Sequence, residues 1–274
     1  MNLNFIAGLP RAGSTLLAAI LRQNPRFRAG MSSPLAGIVR SLHNSLGAQN
    51  EFAHFLTDAQ RERVLRGVFE NFYADVPNDA VIFDTNRTWP ARLAMLNSYF
   101  PDSKIICCVR HPVQIVTSFE RLLRTNFATA SRMFNNDDRQ NVYTRTEALL
   151  PSDRMLGGAL NALKEGYYSE QSRMMLIVEY DILVNQPKRT LELIYEFLEE
   201  AAFEHDFDNV EYSAAEYDRS ITTQGLHDIH GPVTPRERVK ILPPDIIRQL
   251  ERHAFWIDER NPRVSHIVPV TEQG

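Results

Sequence analysis

The stretch FIAGLPRAGSTLL, residues 5–17, is the part of the sequence that is most informative about the fold. Its apolar start is typical of a buried strand, its middle with Gly and Pro predicts a loop, and STLL begins a helix. A helix that begins directly after such a loop presents unpaired backbone N–H groups, at the positive end of its dipole, to a ligand. The stretch therefore predicts an anion-binding loop at the end of the first strand.

The spacing of this loop is that of a nucleotide hydrolase phosphate loop, with one change. The pattern G-x-x-x-x-G-S-T runs from Gly8, and Ser14 takes the place of the lysine that would reach the β- and γ-phosphates. Arg11, in the middle of the loop, supplies the cation instead. The residues predicted to bind the anion are Arg11, Ala12, Gly13, Ser14, Thr15 and Leu16. The alternative is an ordinary corner between a strand and a helix.

Short apolar runs alternate with helical patterns along most of the chain. The runs Asn4–Ala7, Ala80–Phe83, Lys104–Val109 and Met174–Val178 are predicted to be strands. Such an alternation indicates crossover units on a buried sheet. We expect an α/β, P-loop-like three-layer fold, with a central, mostly parallel sheet flanked by helices, in one domain over residues 1–274. The polar, Asn-rich residues 126–150 predict a mobile insertion or lid.

Composition excludes several classes of function. The chain has 274 residues and a net charge of −4, from 30 basic and 34 acidic residues, which argues against nucleic acid as the main partner. We expect no signal peptide, and no apolar stretch approaches the roughly 18 residues needed to span a bilayer. Cys107 and Cys108 are neighbours on a predicted strand and cannot easily pair, which favours a reducing cytoplasm.

Two segments together resemble a known family. GLPRAGSTLL resembles the 5′-phosphosulfate loop of sulfotransferases that use 3′-phosphoadenosine 5′-phosphosulfate (PAPS), in the arginine form carried by tyrosylprotein sulfotransferases and their bacterial relatives. In CCVRHPVQIVTSF, Arg110 ends a strand and Ser118 follows eight residues later, the family's spacing for binding the 3′-phosphate. The resemblance implies PAPS as sulfuryl donor, adenosine 3′,5′-bisphosphate (PAP) as product, and no metal. Without it, Arg110 would be read as the partner of a carboxylate and Ser118 as a helix surface residue.

Two further segments carry weaker resemblances. In VEYDILVNQP, Tyr180 lies seven residues before Pro187, as in the family's strand–Tyr–helix segment, which implies that Tyr180 packs or hydrogen-bonds at the adenine end. A plain core tyrosine is the alternative. Family members close the 3′-phosphate site with a C-terminal loop. We expect residues 220–245 to do so here, with Lys240 as the cation, although a solvated charged turn is an equal alternative.

The general base does not transfer from the family, because neither its His nor its Glu is found at the matching place. Arg11 is expected to stabilise the charge that grows on the leaving phosphate. Asp84, the carboxylate at the end of a predicted strand, is the first candidate for the base. Arg87 either contacts the sulfuryl group or pairs with Asp84. His227 and His230 are interpreted as ordinary residues of a loop that could cover the acceptor.

The sequence thus predicts a sulfotransferase that moves a sulfuryl group to an acceptor hydroxyl or amine. A peptide tyrosine, a carbohydrate or a small natural product would each serve as acceptor. The alternatives are a small-molecule kinase that uses ATP and Mg²⁺, or a nucleotide-binding module without activity. A homodimer is the default expectation for the oligomeric state.

Overall fold

A six-stranded sheet forms the centre of the molecule in a computed structural model that describes residues 1–47, 50–125, 134–220, 227–235, 241–258 and 260–269. Its strands are β1 (Asn2–Gly8), β2 (Phe27–Ala29), β3 (Val81–Thr85), β4 (Ile105–Val109), β5 (Met175–Glu179) and β6 (Ser265–His266). The order across the sheet is β2-β3-β1-β4-β5-β6, and every neighbouring pair is parallel. The predicted α/β fold with a parallel sheet is confirmed.

Helices connect the strands, as parallel pairing requires. The α-helices are α1 (Ser14–Leu21), α2 (Leu35–Leu46), α3 (Asp58–Phe72), α4 (Leu93–Tyr99), α5 (Pro112–Thr125), α6 (Val142–Leu149), α7 (Met155–Tyr167), α8 (Tyr180–Asn185), α9 (Pro187–Leu198), α10 (Ala215–Ser220), α11 (Pro244–Glu251) and α12 (Phe255–Asp258). Short 3₁₀ helices occupy Glu51–Phe55, Trp89–Arg92 and Ser172–Met174.

The middle of the sheet is covered on both faces. All residues of β3 and β4 are buried, and so is β1 after its first residue. A strand buried on both faces reads as a continuous apolar run, which is why these strands could be found in the sequence. On one side, the rings of Phe5, Phe69 and Trp89 pack together with centroids 5.0 to 6.3 Å apart. This aromatic cluster places Trp89 next to the end of β3.

Strands β2 and β6 were not predicted from the sequence, because they are short and lie at the edges of the sheet. β2 has three residues and includes Arg28, and β6 has two. Neither has a run long enough for an alternating or apolar pattern to be recognised. The connection between β3 and β4 contains a 3₁₀ turn, Trp89–Arg92, that leads directly into α4.

The predicted lid is described in part. Residues 126–133 lie outside the described residues, whereas the rest contains α6, which begins with a capping box at Asn141. Arg145 of α6 forms a bidentate ion pair with Glu120 of α5: its Nε lies 2.5 Å from Oε1 and its Nη2 lies 3.0 Å from Oε2. Glu120 is 2% exposed. The described half of this segment is therefore anchored to α5 by a buried charge pair.

The cysteines are buried residues of β4, as expected, and both are free thiols. Burial raises the pKa of Cys108 to about 12, so the thiol stays protonated and unreactive. Within the described residues, every helix is too short or too polar to cross a membrane.

Candidate functional site

The carboxyl ends of β1, β3, β4 and β5 lie at one edge of the sheet, where the predicted motifs come together. Gly8 of β1 is in register with Cys108 of β4, and Val109 of β4 with Glu179 of β5. The chain leaves β1 towards β2 and β3 on one side, and continues to β4 on the other. β1 and β4 therefore flank the topological switch point, where open parallel sheets bind their ligands.

The loop between β1 and α1 has the backbone of an anion-binding turn. Gly8, Arg11 and Gly13 have φ angles of 121°, 59° and 91°. A Cβ on Gly8 would lie 1.9 Å from the carbonyl oxygen of Cys108, so only glycine fits there. Gly13 has no side chain with which to cap α1. The first N–H groups of α1 are consequently available to a ligand in the cleft.

Two arginines lie close together at this loop: Arg11, within the loop after β1, and Arg110, directly after β4. Arg110, directly after β4, donates from Nη1 to the carbonyl oxygen of Arg11 at 3.2 Å. Arg11 donates from Nε to Oγ of Ser118 on α5 at 3.2 Å. Arg110 also donates to Gln114, whose amide donates to Asp181 on α8. The loop, β4 and α5 thus present two guanidinium groups and a hydroxyl within one cluster.

Tyr180, from the segment VEYDILVNQP, contacts both the loop after β1 and Arg110. The guanidinium carbon of Arg110 lies 4.2 Å from the centroid of the Tyr180 ring, which is a cation–π contact. The ring also packs against Gly13, where a Cβ would lie 2.8 Å from Cδ2 of Tyr180. Tyr180 therefore fixes the plane of one arginine and the position of the loop; its predicted contact with adenine stays a prediction.

A cleft of about 1290 Å³ contains these groups. Its described lining includes Arg11, Gly13, Ser14, Thr15, Leu16, Arg110, Ser118 and Tyr180. Ala12, by contrast, is buried beneath the loop, so its contribution to binding would come from its backbone. Lys240 and the neighbouring Arg236 and Arg238 lie outside the described residues.

Asp84 is buried below the cleft and is not paired with Arg87. Its side chain is 0% exposed and accepts hydrogen bonds from Ser33 Oγ (2.5 Å), Tyr73 Oη (2.6 Å) and Trp89 Nε1 (2.7 Å). Burial raises the pKa of Asp84, and these three hydrogen bonds act in the opposite direction. A carboxylate that is enclosed in this way holds β3 to the segments that carry Ser33, Tyr73 and Trp89, and its role as the base stays a prediction.

Arg87 lines the cleft, which is where a residue that contacts the sulfuryl group would lie. Solvent reaches its side chain, yet protein surrounds it on several sides. Burial lowers the pKa of Arg87, and interaction with Tyr217 of α10 raises it. Arg87 is therefore a cation of the cleft wall that interacts with Tyr217 of α10.

Sequence analysis did not identify a pair formed by one histidine and one carboxylate, His227 and Asp218. His227 lines the cleft, and its Nδ1 lies 2.5 Å from Oδ1 of the buried Asp218. The two residues are nine apart and separated by polar sequence, so no spacing signal links them. His111 also lines the cleft, because α5 begins at Pro112 and leaves His111 on the loop that follows β4.

These features define a class: a parallel α/β protein with a glycine-containing loop of anion-binding geometry at its switch point and arginines next to the strand ends. The model of the sulfotransferase family matches residues 4–205. The chain belongs to the sulfotransferase family and is an enzyme of sulfuryl transfer.

Solved structures with the same fold include several sulfotransferases. Mouse sulfotransferase SULT7A1 complexed with PAP has 15% identity and a TM-score of 0.55, over 95% of this chain and 85% of that one. A retinol dehydratase in complex with androsterone and PAP has 16% identity and a TM-score of 0.52, over 96% and 83%. The sulfotransferase domain of the Synechococcus PCC 7002 olefin synthase has 17% identity and a TM-score of 0.51, over 92% and 94%. No curated protein matches the sequence significantly.

Proposed function

We propose that this sulfotransferase takes its sulfuryl group from PAPS and releases PAP. The observation that carries the proposal is the convergence of Arg11, Arg110 and Ser118 on the N-terminus of α1. PAPS is anionic at both its 5′ and 3′ ends, so it needs two separate sets of donors. The loop amides with Ser14 and Thr15 would hold the 5′ end. Arg110 and Ser118 would hold the 3′-phosphate by charge-assisted hydrogen bonds.

Within this proposal, Arg11 lies between the two sets of donors. Its backbone belongs to the loop, and its side chain reaches Ser118. A guanidinium there is suited to stabilise charge on the departing 5′-phosphate oxygen, which is where catalysis of such transfers mostly resides. PAPS would supply the activated sulfuryl group, and the chain would supply position and charge. The absence of a metal and a cytoplasmic location remain predictions.

The acceptor is proposed to bind in the same cleft. Pockets for a single small ligand usually measure roughly 300 to 1,000 Å³, so a cleft of about 1290 Å³ has room for a second molecule beside a nucleotide. Phenols, sugars, small natural products and tyrosine peptides are all acceptors of this chemistry. The family assignment does not favour the kinase or the inactive module.

Nucleotide binding tests the proposal directly. We expect PAP to bind at least about tenfold more tightly than adenosine 5′-phosphate, because charged hydrogen bonds contribute about 1.5 to 3 kcal/mol. Arg110→Ala should remove most of that difference and leave adenosine 5′-phosphate binding largely intact. Arg63→Ala, at an exposed position of α3, is the matched control. Isothermal titration measures both ligands.

The contrary results are equally clear. Thermal stabilisation by ATP with Mg²⁺ and not by PAP would restore the kinase hypothesis. Equal affinity for the two adenosine nucleotides would show that the Arg110 cluster binds no 3′-phosphate.

A further inference from the structure

Asp218 holds the ring of His227 in one orientation. The Nδ1 atom of His227 lies 2.5 Å from Oδ1 of Asp218, and the backbone N–H of His227 donates to Oδ2 at 2.9 Å. Asp218 is 0% exposed, and its own backbone N–H donates to the carbonyl oxygen of Ala214. A carboxylate that accepts from Nδ1 leaves Nε2 as the nitrogen with a lone pair. This is the arrangement by which an aspartate prepares a histidine to take a proton.

The loop that carries His227 is attached to the cleft wall on the β2 and β3 side. Tyr212 and Ile229 pair by two backbone hydrogen bonds of 3.0 and 2.8 Å. The hydroxyl of Tyr212 accepts from the backbone N–H of Met31, just after β2, at 2.9 Å. Ser213 donates to Asp228 at 2.8 Å. The position of His227 is therefore set by its own contacts with Asp218 and by those of the next two residues, Asp228 and Ile229.

The same cleft is shared by His227, the phosphate loop and Arg87. The ring of Tyr217, which interacts with Arg87, lies 5.6 Å from the ring of His227 in an edge-on contact. Asp84, in contrast, is itself buried and has both oxygens occupied by the donors Ser33, Tyr73 and Trp89. Of these two groups, His227 is the one with access to an acceptor.

We propose that His227 is the general base of this sulfotransferase and that Asp218 is its positioning residue. The proposal rests on the proposed function. Nε2 of His227 accepts the proton of the acceptor hydroxyl or amine while the acceptor atom forms its bond to sulfur. The bond between sulfur and the 5′-phosphate oxygen breaks, and its electron pair stays on that oxygen, which gives PAP. The proton later leaves His227 to solvent.

Transfer of ³⁵S from labelled PAPS tests this assignment. The acceptors are p-nitrophenol, an acidic tyrosine peptide and an aliphatic alcohol, with release of sulfate to water also measured. We expect His227→Gln to lower kcat about 100-fold or more, the usual contribution of a general base. Asp218→Asn should lower kcat about 10-fold or more without changing KM for PAPS. Added imidazole should restore part of the activity of His227→Gly, which a structural role would not allow.

Controls separate this inference from the proposed function. His43→Gln, at an exposed position of α2, should keep wild-type turnover. PAP affinity should stay within about twofold of wild type in His227→Gln, because the cluster at Arg110 is intact. If wild type fails to bind PAP, the proposed function itself is wrong. If PAP binds and His227→Gln keeps more than half of kcat, or wild type transfers to no acceptor and not to water, His227 is not the base.

Discussion

Replacing Gly13 by alanine tests the geometry of the site at its most confined point. Gly13 has a φ angle of 91°, and a Cβ there would lie 2.8 Å from Cδ2 of Tyr180. An L-residue in the left-handed region costs about 1 to 2 kcal/mol. Carbon atoms normally stay about 3.5 to 4.0 Å apart, and overpacking of this kind costs about 1 to 3 kcal/mol. Gly13→Ala should therefore lower the free energy of unfolding by about 2 to 5 kcal/mol.

The same substitution should weaken PAP binding. Relief of the contact moves the Tyr180 ring, which stacks on Arg110 at 4.2 Å. We expect a loss of at least about tenfold in affinity, equivalent to about 1.4 kcal/mol. Isothermal titration measures it, and urea unfolding followed by the fluorescence of the buried Trp89 and Trp256 measures stability.

Gly37→Ala is the matched control and should have the opposite sign. Gly37 lies in α2, and a Cβ there would have no described heavy atom within 4 Å. Alanine in a helix is favoured over glycine by about 0.5 to 1 kcal/mol. The reasoning is refuted if Gly13→Ala costs less than about 0.5 kcal/mol, or if it leaves PAP affinity unchanged.

Three further substitutions test separate parts of the structure. Arg110→Lys keeps the charge but loses the planar stack on Tyr180, so PAP affinity should fall about tenfold by titration, and an unchanged affinity would deny the stack a role. Arg145→Ala leaves Glu120 buried with Arg124 as its remaining partner at 3.5 Å, and should cost about 3 kcal/mol in urea unfolding; a cost below about 1 kcal/mol would contradict the buried pair. Burial raises the pKa of Asp84, so its ionised form costs more in the folded state than in the unfolded state. The stability of wild type relative to Asp84→Asn should consequently fall as pH rises from about 4 towards neutrality, and a pH-independent difference would contradict this. Turnover per folded molecule should survive Asp84→Asn, whereas its loss would restore Asp84 as the base.

Local patterns found the parts of the site that lie next to each other in the chain. The loop from Gly8 to Leu16 and the Arg110–Ser118 spacing each occupy one strand end and one helix, so their geometry follows from the period of the helix and the direction of the strand. Parallel order then brings the strand ends to one edge. The family assignment and the confirmed fold follow from these features.

Other parts depend on what covers a residue, which the chain does not reveal locally. A carboxylate after a strand was expected to face the ligand, but Ser33, Tyr73 and Trp89 enclose Asp84. Arg87 was expected to contact the sulfuryl group or to pair with that carboxylate; it is not paired with Asp84 and lies in the cleft wall near Tyr217, and its contact with the sulfuryl group stays a prediction. Both results depend in part on packing between distant segments, because Ser33 is far from Asp84 in sequence and Tyr217 is far from Arg87.

Sequence patterns alone predicted the four longer strands of the sheet, the glycine-containing loop after β1, and Arg11 and Arg110 at that loop, because each is encoded in a short run of consecutive residues by a period or a spacing. The tertiary structure alone decided which titratable group reaches the cleft. It buried Asp84 and joined His227, which lies on a loop, to Asp218 of α10, and no period or spacing in the sequence links these two residues. Access to solvent and the direction of a side chain are properties of the surroundings, so they arise only when distant segments pack.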